Sequence, residues 1–141
     1  MSWFRKLFGG DPGRDYGTHS RAALPGELEP RIVQGIEQAV QFKRAGRFEE
    51  ADALYRQLDQ WTPEHPTVLK SWAKIQVCMG AYDEAVDLYQ RASRHYRQMG
   101  SGEYWQCEDQ INEINNRATN PAAFKDWVRA ISGGVVRDAE I

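Results

Sequence analysis

The stretch GRFEEADALY, residues 46–55, returns with few changes as GAYDEAVDLY at residues 80–89, 34 positions later. With that shift Ala39 falls on Ala73, Gly46 on Gly80, Phe48 on Tyr82, Glu50 on Glu84, Ala51 on Ala85, Leu54 on Leu88 and Tyr55 on Tyr89. One more step carries Ala73 to Cys107, another small residue. Self-similarity at this period marks stacked supersecondary units, because each unit leaves an apolar face that only a neighbour buries.

The pattern inside one unit is helical. Ile32, Ile36, Ala39, Val40 and Phe42 predict an amphipathic helix over Arg31–Ala45. Gly46 closes it, since glycine takes the positive φ of a helix end freely. Phe48, Ala51, Leu54, Tyr55 and Leu58 form a second stripe that runs to about Gln60. Ala39 and Ala51 are the small residues that let the two helices cross closely, where a bulky side chain would overpack. Thr62–Pro63 stops the second helix. The next unit repeats the plan as Thr67–Met79, Gly80, then Tyr82–Gln98, closed by Gly100. A third helix is predicted over Glu103–Arg117, with Tyr104, Cys107, Ile111 and Ile114 on one face. Asn120–Pro121 is a start signal, and Pro121–Ser132 is predicted as a terminal helix covering the last open edge of the stack.

Ala39, Gly46, Phe48, Ala51, Tyr55 and Pro63 in the first unit, with Trp72, Ala73, Gly80, Tyr82, Ala85, Tyr89 and Ala92 in the second, resemble the tetratricopeptide repeat (TPR) family. The first unit lacks the early aromatic that Trp72 provides in the second, and the second lacks the closing proline. The expected fold is all-α: a TPR-like helical-hairpin solenoid of two regular hairpins, a divergent third helix and a C-terminal capping helix. Its domain would span residues 30–132, divided as 30–63, 64–99 and 101–132. A short amphipathic tip (1–8), a flexible Gly/Pro-rich linker (9–29) and a tail (133–141) would flank it. The competing fold is an unrelated helical bundle, in which the 34-residue coincidences are accidental.

The resemblance implies a curved array whose first helices line the concave side, acting as an adaptor for a protein or peptide. Helical spacing puts Val33, Ile36, Val40, Lys43 and Arg44 of the first unit on that hollow. Thr67, Lys70, Lys74, Val77 and Cys78 follow from the second unit, and Tyr104, Glu108, Ile111 and Asn112 from the third. Lys43, Arg44, Lys70 and Lys74 make a basic stripe over an apolar floor in a chain of net charge −2. The expected ligand therefore carries apolar anchors and carboxylates; the plainer reading is a row of solvated lysines. Some TPR proteins hold a C-terminal carboxylate with a Lys/Asn/Arg set. Ile36 and Val40 stand where that set would begin, so chaperone tails are not the expected ligand.

In MSWFRKLF, residues 1–8, Trp3, Phe4, Leu7 and Phe8 share one helical face opposite Arg5 and Lys6. This anchor would be buried on a partner, on the domain's own surface, or on an anionic membrane. The last option makes the alternative function a peripheral membrane protein.

The charge of −2 predicts no general attraction to nucleic acid. No apolar run is long enough to span a bilayer. With no export signal and no CxxC pair, Cys78 and Cys107 are expected to be reduced thiols in the cytoplasm. His19, His65 and His95 have no partner at metal-ligand spacing, and MGSGEYW follows no predicted strand, so no metal, phosphate loop or cofactor is expected. Cys78, near Lys74, is a candidate reactive thiol, with a packing role as the plainer reading. No convergent catalytic set is visible, and the chain is read as a binding protein, not an enzyme.

Overall fold

A computed structural model describes residues 29–137 and 140–141. The predicted tip and nearly all of the linker lie outside these residues. Within them the chain is all-α, with six helices and no strand: α1 (Pro30–Arg44), α2 (Phe48–Trp61), α3 (Pro66–Cys78), α4 (Tyr82–Gln98), α5 (Glu103–Asn115) and α6 (Pro121–Ser132). Each of α1 to α4 packs on the helix that follows it. In addition α1 touches α3, and α6 meets both α3 and α5.

Local chemistry sets the boundaries. Three helices start at prolines whose missing N–H costs nothing in a first turn. Each has a side-chain cap: Glu29 accepts from the Arg31 N–H (3.1 Å), His65 Nδ1 from the Thr67 N–H (3.2 Å), and Asn120 Oδ1 from the Ala123 N–H (3.4 Å). Burial, with the nearby charge of His95, lowers the His65 pKa, which keeps a lone pair on the capping nitrogen. α2 and α4 lack side-chain caps but carry Glu49 and Glu50, or Asp83 and Glu84, in the first turn, where the helix dipole favours negative charge. The duplicated glycines end their helices in the same way. Gly46 (φ 75°) lets the Arg47 N–H reach the Phe42 carbonyl at 2.8 Å, and Gly80 (φ 76°) lets the Ala81 N–H reach that of Gln76 at 2.8 Å.

The small residues sit at the crossings. Ala39, Ala51, Ala73, Ala85 and Cys107 have no exposed surface. The core has two lobes. One gathers Ile32, Phe42, Leu54, Tyr55, Leu58 and Ile75 around the first hairpin, and the other gathers Leu69, Val77, Leu88, Tyr89, Ile114 and Phe124; Phe48 and Trp72 pack against both.

Two features at the C-terminal end go beyond the sequence pattern. The helix α6 meets α3 as well as α5. Phe124 meets Tyr82 edge-on at 5.5 Å, Val128 joins the lobe that holds Val77, and a Cβ on Gly46 would lie 3.3 Å from Val135. Described residues beyond α6 also pack. Val136 is buried, its N–H bonds to Ser132 Oγ at 3.3 Å, and Ile141 packs against the same lobe. Apolar Val135, Val136 and Ile141 bring the chain back onto the core.

Tyr55 and Tyr89, one repeat apart, differ in one respect. The Tyr55 hydroxyl has Ser71 to interact with, whereas the buried Tyr89 hydroxyl has no hydrogen-bond partner among the described residues. A shift of 34 explains this, because Ser71 is replaced by Trp105, which points to solvent. Tyr89→Phe is therefore expected to leave stability unchanged or raise it, while Tyr55→Phe lowers it by about 1 kcal/mol. Urea unfolding of the two variants checks the opposite signs.

Candidate functional site

The structure brings together part of the predicted basic stripe. Lys43 comes from the last turn of α1, and Lys70 and Lys74 from α3. All three are half-buried, and Arg44 is exposed. Lys74 lies within electrostatic reach of both Lys70 and Lys43; burial first, then those two charges, lower its pKa. The pKa of Lys43 is lowered too, by burial and, more weakly, by Arg44. Neither Lys43 nor Lys74 has a hydrogen bond or ion pair among the described residues.

Lys70 is different. Its Nζ donates to Glu103 Oε2 and Gln106 Oε1, both at 2.6 Å, and its side chain is only 12% exposed. It joins α3 to α5 and is not a free cation, which corrects its reading as an open groove contact. The sequence reasoning missed Glu103 and Gln106; the signal was a carboxylate 33 positions beyond Lys70, nearly one repeat on.

The apolar members divide as well. Val33, Ile36 and Val40 are half-buried along α1; Ile36 packs on the first lobe of the core, and Val40 lies one turn from Lys43. Val77 is a correction: at 2% exposure it belongs to the core, because Val128 and Val136 fold over it. Cys78 remains half-buried beside Lys43, and burial pushes its thiol up to about 11. At neutral pH it is a protonated, poorly nucleophilic thiol. Cys107 is fully buried, its thiol likewise pushed up to about 11, as befits a packing residue.

On α5, Tyr104 and Glu108 serve Arg97 instead of the lysines. The guanidinium pairs with Glu108 and lies 4.2 Å from the Tyr104 ring centroid, while Trp105 rests against Tyr104 at 5.0 Å. Ile111 packs on the core. The candidate face thus narrows to Val40, Lys43 and Arg44 on α1 with Lys74 and Cys78 on α3. The anchor residues Trp3, Phe4, Leu7 and Phe8 lie outside the described residues.

A second feature lies between α2, α3 and α4. Trp72 and Leu88 border a cleft of about 390 Å³. The Trp72 Nε1–H donates to Asp52 Oδ1 at 2.7 Å, Gln76 Nε2 donates to the same oxygen, and Arg56 pairs with Oδ2 at 2.9 Å. On the far side Arg91 pairs with Glu64 and, at 3.3 Å, with Asp87. Glu64 sits at φ 59°, tied to α4 by Arg91 and His95, and the Arg91 hydrogen bond holds its carboxyl below the usual range.

Among the described residues no group of three His, Cys, Asp or Glu side chains is placed to hold a metal, and no helix is long and apolar enough to cross a membrane. Comparison with protein families, with curated proteins and with solved structures gives no match.

Proposed function

We propose that this chain is a protein-interaction module, a short TPR-like array whose inner face takes a partner segment bearing apolar residues and carboxylates. The observation that carries this reading is Lys43 with Lys74: two half-buried ammonium groups from different helices, their pKa values lowered, and no anion paired with either among the described residues. Cations held in this way lack a counter-charge. A carboxylate placed between them would raise both pKa values again. It would contribute about 1–3 kcal/mol there, against about 0–1 on an open rim. Val40, one turn from Lys43, and Cys78 offer apolar ground beside the charge. The 34-residue self-similarity, the matching helix closures at Gly46 and Gly80, and the packing of each of the first helices on the next support the TPR-like arrangement. The activity is capture, not bond chemistry.

Fluorescence anisotropy tests this with two peptide sets, one alternating Leu or Phe with Asp and Glu, the other with lysine at the acidic positions. The acidic set is expected to bind, more weakly as salt rises. Lys43→Glu with Lys74→Glu should reduce that affinity at least about tenfold, equivalent to about 1.4 kcal/mol. Lys125→Glu, on α6, should leave it unchanged. Equal affinity for both sets, or an indifferent double variant, contradicts the reading.

A further inference from the structure

We propose that the cleft over Trp72 is the dock for residues 1–8 of this same chain. The cleft, of about 390 Å³, has an apolar floor of Trp72 and Leu88 and an unbalanced rim. Its two cations are already answered: Arg56 by Asp52, and Arg91 by Glu64 and Asp87. Asp83 and Glu84 are exposed, with no hydrogen bond or ion pair among the described residues. The rim therefore carries surplus negative charge around an aromatic floor. It would repel the acidic segment proposed for the lysine face, so the two surfaces select opposite ligands.

A complementary ligand needs large apolar side chains with cations beside them. Residues 1–8 have both: Trp3, Phe4, Leu7 and Phe8, with Arg5 and Lys6 between them. The connection suffices. The twenty residues from 9 to 28 span at most about 70 Å when extended. A domain of this size has a radius of gyration of only about 13 Å. Tethering also raises the effective concentration of the tip to the millimolar range, so a weak intrinsic affinity is enough. Burial of Trp3 and Phe4 against Trp72 would supply the attraction, and Asp83 and Glu84 would set the orientation through Arg5 and Lys6.

The test places a nitroxide at residue 2 of the full chain as Ser2→Cys. The thiols of Cys78 and Cys107, each pushed up to about 11 and at least half-buried, react slowly at neutral pH, so the label goes to the new cysteine. Proton–nitrogen spectra are compared before and after reduction of the label. The expected result is loss of signal at the Trp72 indole N–H and the amides of residues 83–88, abolished by Asp83→Lys with Glu84→Lys. Loss centred on Lys43 and Lys74, or no localised loss, overturns the proposal. So does equal loss when the nitroxide is carried only by a second, nitrogen-14 copy mixed with the observed chain, which would assign the cleft to a neighbour's tip. None of these outcomes depends on the acidic peptide, so the proposal and the function reading fail separately.

Discussion

Leu58→Ala is expected to lower stability by about 3–5 kcal/mol, the upper part of the range for a buried leucine. Leu58 has no exposed surface, and its methyl groups lie directly on the backbone of Gly35 in α1; a Cβ there would stand 2.7 Å from Leu58 Cδ2. Gly35 admits this side chain and lets α1 and α2 approach. Truncation leaves a void that the helices cannot close, because Ala39 and Ala51 are already fully packed. The reverse change has its own cost. Gly35→Ala alone gains helix propensity but forces a fully buried leucine to move, and the net effect is expected to be destabilising. Combined with Leu58→Ala, the added methyl enters the void and restores part of the loss. Urea unfolding of the four proteins gives the coupling as a double-mutant cycle. Additive losses would show that the two residues do not meet as described.

The second large effect is expected at Asp52. Its side chain is 17% exposed and accepts from Trp72, Gln76 and Arg56. Asp52→Ala leaves the indole N–H and the amide of the buried Gln76 without an acceptor, which should cost about 2–4 kcal/mol. Trp72 packs on both lobes of the core, so the damage falls on the junction between the first and second helical pairs. Asp52→Asn, keeping one carbonyl acceptor, should lose about half as much. Chemical unfolding measures both; a loss below about 0.5 kcal/mol for the alanine variant, typical of an ordinary surface change, would contradict this role.

How far the sequence discloses the fold follows from particular residues. Tyr82–Gln98 and Pro121–Ser132 were legible to the residue, because strong local signals bound them: Gly80 and Gly100 for one, Asn120, Pro121 and Gly133 for the other. Ala51 and Ala85 were legible as crossing points because duplication shows what each position must be. Val77 was not. Helical spacing put it on the open face, but the chain returns over it through Val128 and Val136, a long-range contact that no periodicity records. Lys70 misled for a related reason. Helical spacing gives the direction of a side chain but not the carboxylate waiting on the next helix, and Glu103 is supplied by the register of α5 against α3. Nothing in the sequence singles out Asp52, since the equivalent position in the second unit is Val86 and duplication gives no hint of a hub. That Lys43 and Lys74 are half-buried and unpaired among the described residues likewise depends on how closely α1 approaches α3.

We propose that the lysine-bearing face captures an acidic, apolar segment. Titration of the isotope-labelled full chain with the acidic peptide, followed by amide and lysine side-chain shifts, tests it most directly. Saturable shifts centred on Val40, Lys43, Lys74 and Cys78 are expected, with upward movement of the two lysine pKa values on binding. Shifts confined to the cleft at Trp72 or to the outer surface of α4, or no shifts at peptide concentrations well above those of the protein, would contradict it.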